Sequence, residues 1–206
     1  FTEIFVAYNL RFHPALQALR EALAAQKVIS AQVYCGQDLN RWRPGRPLTS
    51  SYSSSRAQGG GVLRDLSHEL DYIAWLFGPW RRLAALGGHI GPLAMDADDG
   101  WGVLLETRDC PLLTLQVDYY NRPATRRILV NTEQASYLLD LLAGTLSRDG
   151  EARFWPAERD LTYRAQHEAI LSGGPSVACT LDEGWKVMDM IAAIERANEG
   201  AQWVSA

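Results

Sequence analysis

Asp65 and His68 stand three residues apart within Gly61 to Phe77, a stretch whose apolar residues recur at helical spacing. On a continuous helix such a pair shares a face and can meet. A carboxylate beside an imidazole raises its pKa and fixes its tautomer, and a histidine held that way can take a proton from a substrate hydroxyl. The same spacing also describes an ordinary surface salt bridge. A second set, Arg11, His13, Trp42, Arg43, Tyr52 and Arg56, lies in two non-regular segments. Flat rings suit sugar faces and guanidinium forks suit oxyanions, although solvated loop arginines have the same composition. Gly59-Gly60-Gly61 presents either bare amides for an anion at a helix start or a flexible entry to the helix. Asp65, His68 and His13 form a two-histidine, one-carboxylate set only across distant segments, and no metal is expected.

These residues need a scaffold, and the pattern supplies one. Phe1 to Tyr8 and Val28 to Tyr34 read as strands. Pro14 suits the first turn of a helix that carries Leu16, Leu19 and Leu23 to about Gln26. Residues 37 to 61 read as one long loop, a length that is usually functional. Gly61 to Phe77 reads as one helix ended by Gly78-Pro79, with Val62, Leu63, Leu66, Leu70, Ile73 and Phe77 on its apolar face and Asp65, His68, Glu69 and Tyr72 beside it. The period then changes to alternation. Arg82 to His89, Gly100 to Thr107, Leu112 to Tyr120 and Thr125 to Asn131 are strands, with weaker ones at Tyr137 to Leu142 and Ala152 to Trp155. Helices over Ala157 to Leu171 and Leu181 to Asn198 follow, the second with Trp185, Val187, Met188, Ile191 and Ile194 on its apolar side. A short strand at Gln202 to Val204 ends the chain. This order predicts an α+β domain with an open, mostly antiparallel sheet and helices on one face. Apolar residues on both faces of the 101–105 and 112–117 runs predict that a partner, most simply a second copy, covers the other face.

The bulk numbers narrow the function. A chain of 206 residues with 47% hydrophobic residues buries a full core. Twenty basic against 24 acidic residues, a net charge of −4, argue against a nucleic-acid binder. No apolar run is long enough for a membrane span and the start is not a signal peptide, so the expectation is a cytoplasmic protein. Cys35, Cys110 and Cys179 form no CxxC pair and read as buried thiols. No GxGxxG follows a strand.

Three stretches, Tyr8-Asn9-Leu10-Arg11-Phe12-His13-Pro14, Trp42-Arg43-Pro44 with Tyr52-Ser53, and above all Gly59 to Asp71 ending in Trp75-Leu76-Phe77-Gly78, resemble the C-terminal domain of the glucose–fructose oxidoreductase / inositol dehydrogenase (Gfo/Idh/MocA) family. The strands that follow and the Thr180-Leu181-Asp182-Glu183-Gly184 helix start fit the same template. The resemblance implies a fold like the C-terminal domains of dihydrodipicolinate reductase and glyceraldehyde-3-phosphate dehydrogenase. It also implies a parent enzyme with an N-terminal Rossmann domain, absent from residues 1–206, that binds NAD or NADP and carries a lysine in a Glu-Lys-Pro motif. This chain would be the substrate-binding and dimerisation domain of a sugar or polyol dehydrogenase, paired through its sheet as a homodimer or homotetramer. It would bind no cofactor alone and be inactive alone. His68 is implied as acid/base for the hydroxyl proton, and Asp65 as its partner or a substrate ligand. Asn9 and Arg11 would lie near nicotinamide and substrate, and Trp42, Arg43, Tyr52 and Arg56 would shape substrate choice. Many members space the aspartate and histidine by four rather than three. Two other readings stand beside this one: a stand-alone binding or assembly module with the same fold, and a hydrolase or lyase using Asp65 and His68 directly. The latter lacks a Ser or Cys nucleophile in a recognisable turn.

Overall fold

Alternation of apolar and polar residues along consecutive strands builds the frame of the domain. The computed structural model describes residues 3–42, 45, 47, 50–156, 158–173 and 177–206. In chain order it contains β1 (Phe5–Val6), α1 (Pro14–Leu23), β2 (Val28–Gly36), α2 (Val62–Asp65), α3 (His68–Phe77), β3 (Trp80–Gly88), β4 (Gly100–Thr107), β5 (Leu113–Asp118), β6 (Thr125–Thr132), β7 (Ser136–Asp140), β8 (Thr145–Arg148), β9 (Glu151–Phe154), α4 (Leu161–Leu171), β10 (Cys179–Thr180), α5 (Leu181–Glu199) and β11 (Val204–Ser205). Among the described residues nine strands form one open sheet in the order β11-β3-β4-β5-β2-β6-β7-β8-β9, and β1 pairs with β10 separately. All neighbours in the large sheet are antiparallel except β2 and β5.

One face of the sheet is the core. Val33, Leu83, Val103, Leu105, Leu113, Leu115, Val117, Ile128, Val130 and Leu139 are buried there with Leu16 and Leu19 of α1, Leu70, Ile73 and Phe77 of α3, and Val187, Ile191 and Ile194 of α5. The alternate positions are open, with Leu86 79%, Leu104 38% and Leu138 42% exposed. On β5 those positions are Thr114 and Gln116, so that strand is apolar on its inner face only. The helices thus lie on one side, as the pattern predicts.

Several details depart from the sequence reading: the strand expected over residues 1–8 is only Phe5–Val6 among the described residues, and the helix expected from residue 157 begins at Leu161. β8 and β10 were not anticipated; both are short and lack a sustained alternation. On α5 Trp185 and Met188 are exposed, because the buried stripe runs through Val187, Met190, Ile191 and Ile194 at three- and four-residue spacing. The helix expected over 61–77 is two helices. Leu66 leaves helical geometry (φ −104°, ψ 28°), and the amides of Ser67 and Glu69 bond three residues back, to Arg64 and Leu66. Ser67 is the N-cap residue of α3, but its hydroxyl accepts from the Tyr8 phenol instead of capping the helix.

Candidate active site

The break between α2 and α3 decides what Asp65 and His68 can do. Asp65 ends α2, and its Oδ2 accepts a hydrogen bond from the Tyr119 hydroxyl at 2.7 Å. His68 opens α3 beyond the break, and no hydrogen bond joins it to Asp65. Its ring meets that of Tyr8 edge-on, with centroids 5.3 Å apart at 78°, and its Nδ1 is enclosed without a partner. Burial pushes the imidazole down to about 4; Arg126 pushes the same way and Glu69 opposes. The expected carboxylate-raised histidine is therefore corrected to one that is neutral at neutral pH. Glu69 and Tyr72, read as part of the same polar face, turn into the core instead. Fully buried Glu69 accepts from Arg126 Nε at 2.7 Å and from the Tyr72 hydroxyl at 3.2 Å.

Tyr119 gathers the rest of the site. It follows β5, is fully buried, and meets Trp42 edge-on at 5.5 Å and 84°. Burial first, then the charge of Asp65 and the hydrogen bond to it, drive its phenol far above the ordinary range, with Asp98 and the Tyr52 phenol near enough to add to the shift. Asp65, Trp42 and Tyr52 thus converge on one side chain that the sequence reading did not single out. Its signal was an aromatic pair, Tyr119-Tyr120, at the end of an apolar strand. The Trp42 Nε1 hydrogen is buried without a partner, so a ligand oxygen brought there would satisfy a donor that the fold leaves open.

The glycine triplet shapes this site without binding an anion. The amides of Gly59, Gly60 and Gly61 donate to the carbonyls of Arg56, Ser55 and Ser53. The following two, Val62 and Leu63, donate to the Asp98 carbonyl and to Asp98 Oδ2, each at 2.9 Å. Gly61 has φ +117°, and a Cβ there would drive into the Asp98 carboxylate. Asp98 Oδ2 also accepts from Trp101 Nε1 at 2.9 Å. Asp96 fixes the preceding loop, its amide donating to the Ser54 carbonyl and its carboxylate accepting the Arg56 amide at 2.7 Å. The sequence reading did not single out Asp96 or Asp98, whose partners lie 35 to 40 residues away. The Arg56 side chain is exposed, Tyr52 is 45% exposed, and Arg43 lies outside the described residues.

Arg11 and Asn9 are bound inward. The Arg11 guanidinium holds Asp71 through Nε (3.0 and 3.1 Å) and Nη2 (2.6 Å), while Nη1 reaches Glu183 Oε1 at 3.0 Å and the Val177 carbonyl at 3.3 Å. Both Arg11 and Asp71 are buried. Asn9 Nδ2 donates to Thr162 Oγ1 at 2.6 Å. These contacts pin the 9–12 turn to α3, α4 and α5. His13 is also buried; desolvation lowers its pKa and its Nδ1 is unpartnered. The described residues hold no group of three His, Cys, Asp or Glu side chains able to bind a metal, and no helix long and apolar enough to cross a membrane.

Solved structures with this fold are numerous. An oxidoreductase of Thermotoga maritima superposes with a TM-score of 0.81 at 14% identity, covering 98% of this chain and 61% of that one. Levoglucosan dehydrogenase in complex with NADH and L-sorbose gives 0.80 at 18% identity, covering 100% and 66%. The WlbA dehydrogenase of Bordetella pertussis in complex with NADH and UDP-GlcNAcA gives 0.79 at 16% identity, covering 99% and 64%. The chain thus spans somewhat under two thirds of the length of each. No curated protein matches the chain by sequence. Residues 16–138, more than half of the chain, match the sequence pattern of the GFO/IDH/MocA C-terminal domain, and the chain belongs to that family.

Proposed function

We propose that the chain is the C-terminal, substrate-side domain of an NAD- or NADP-dependent oxidoreductase acting on a sugar, polyol or related hydroxy compound. The observation that carries this is a neutral, half-enclosed imidazole at the head of α3, close in the chain to the Asp65–Tyr119–Trp42–Tyr52 cluster. The structures named above that hold NADH with a sugar-type ligand support it. The glycine triplet offers the nucleotide's phosphates no free amides, which fits a cofactor held mainly by a separate Rossmann domain. When bound, the nicotinamide supplies a hydride acceptor or donor for the substrate carbinol carbon.

The side chains of this domain do the remaining work. His68 accepts a hydrogen bond from the reacting hydroxyl. With its pKa near 4 it is a poor store for the proton, which passes on to a stronger base such as the family lysine. Trp42 and Tyr52 offer ring faces to the sugar, and Trp42 Nε1 a donor. Arg56 lies on the exposed segment that selects the substrate, a choice in which Arg43 shares. Asp65 lines the pocket with one oxygen held by Tyr119, whereas Asn9 and Arg11 act by fixing the turn beneath. The open sheet face pairs with a second copy.

The test is the complete enzyme carrying this domain, assayed for NAD or NADP reduction against a panel of sugars and polyols. His68→Ala is expected to lower turnover by two orders of magnitude or more while the melting temperature moves little. Unchanged turnover would remove His68 from the mechanism. Absence of nicotinamide-dependent turnover with every compound in the panel would sink the oxidoreductase reading.

A further inference from the structure

Tyr8 touches His68 and the residue before it with one side chain. Its ring lies edge-on to the imidazole at 5.3 Å. Its hydroxyl donates to Ser67 Oγ at 3.3 Å. It is 8% exposed, so almost all of the phenol packs within the domain. The turn that follows it is fastened to the same helix, because Arg11 grips Asp71, three residues beyond His68. The 8–12 segment therefore meets the first turn of α3 twice, once through an aromatic edge and once through a buried ion pair. Neither contact can slide without the other, since a buried pair that loses its partner costs several kcal/mol.

We propose that Tyr8 is the positioning residue of His68, fixing the plane of the imidazole and keeping water from its Nδ1 side. This rests on the reading of His68 as the group that meets the substrate hydroxyl. A ring with both nitrogens in water rotates freely and takes up a proton near neutrality. A ring sealed on one side is held neutral, with its other nitrogen left to act. The phenol itself is no acid here, since burial raises its pKa and its proton is directed to Ser67. Tyr8 also stands two residues after β1, which pairs with β10 at the head of α5. A shift of that strand relative to α3 would reach His68 through this contact.

The experiment has two arms. In the 206-residue chain, which holds four histidines, the Cε1 proton of His68 is titrated by NMR, assigned with His68→Asn. The charged groups facing His68 are Glu69 and Arg126, and both stay unchanged in every variant. His68 is expected to titrate near 4 in the parent, within half a unit of that in Tyr8→Phe, and at least one unit higher in Tyr8→Leu. Should Tyr8→Leu not fold, Tyr8→Met opens the same side of the ring and is read in the same way. In the complete nicotinamide-dependent enzyme, Tyr8→Leu is expected to lower kcat tenfold or more with KM changed less than threefold, and Tyr8→Phe to keep most of kcat. A titration unmoved by loss of the ring, or a Tyr8→Phe defect equal to that of Tyr8→Leu, overturns the proposal. If the parent enzyme shows no nicotinamide-dependent turnover, the oxidoreductase reading fails and the catalytic part of this proposal with it. An active parent whose His68 ignores Tyr8 condemns this proposal alone.

Discussion

The Tyr119 phenol donates to the Asp65 carboxylate across 2.7 Å, joining two residues 54 apart in sequence. This bond ties the end of β5 to the end of α2 and directs Asp65 away from His68. A hydrogen bond to a charged acceptor in a partly buried setting contributes about 1.5–3 kcal/mol. It explains why three-residue spacing, which promised an acid–histidine pair, yields an acid–tyrosine pair.

Because the Tyr119 hydroxyl and the Asp65 carboxylate are bonded to each other, the loss of either removes the same bond, and their removal should not add. Tyr119→Phe and Asp65→Ala are each expected to cost about 1–3 kcal/mol in urea unfolding, and the double variant little more than the worse single one. Additive losses would mean that each residue is held mainly by other contacts.

The depressed pKa of His68 has a consequence for stability. An unfolded histidine takes its proton near 6.5, whereas folded His68 resists until about 4. Its contribution is complete above about 6.5 and is lost as pH falls toward 4, because the unfolded chain then binds the extra proton. The loss amounts to about 3 kcal/mol at most. His68→Gln should flatten the fall in melting temperature between pH 7 and pH 4, leaving a residual slope from His13, whose pKa burial also lowers. An equal slope in parent and variant would show that His68 is solvated.

Gly61 and Gly150 both have positive φ, +117° and +93°. They differ in surroundings, for a Cβ on Gly61 meets the Asp98 carboxylate and one on Gly150 meets nothing. Gly150→Ala should therefore cost only the backbone strain, about 1 kcal/mol. Gly61→Ala should cost distinctly more and also displace the Asp98 bonds to Val62 and Leu63. Equal shifts in melting temperature for the two would show that Asp98 can move aside freely.

Much of the scaffold was legible because one-sided burial imposes period two on strands and period 3.6 on helices. Val62, Leu63, Leu66, Leu70, Ile73 and Phe77 were read as one face, and all six are buried. The break at Leu66 was not legible, because apolar spacing survives it and its cause is tertiary: Tyr8 on Ser67 and Tyr119 on Asp65. The function of Asp98 was hidden for the same reason. It caps a helix start 35 residues before it, and no local pattern encodes such a reach. The Arg11 guanidinium was expected to suit an oxyanion; in the structure it holds Asp71 and Glu183, contacts 60 and 172 residues away that no local pattern shows.

The open sheet face carries a continuous row whose register can be followed strand by strand. Ala84 pairs with Leu104, Leu104 with Thr114, Thr114 with Gln32, Gln32 with Leu129, and Leu129 with Leu138. This row crosses six strands, roughly 24 Å at the usual strand spacing, without one charged residue. Leu104 and Leu138 leave apolar area open on this face, and a second copy presenting the same row would bury it on both sides. Leu104→Arg places a charge within this row, at a position 38% exposed that no core packing depends on. The chain is expected to be dimeric by light scattering, and Leu104→Arg monomeric with an unchanged circular dichroism spectrum. Leu142→Arg, at a position 58% exposed and outside the strands, should leave the dimer intact. A parent chain that is monomeric at all concentrations would rule out pairing through this face by the domain alone.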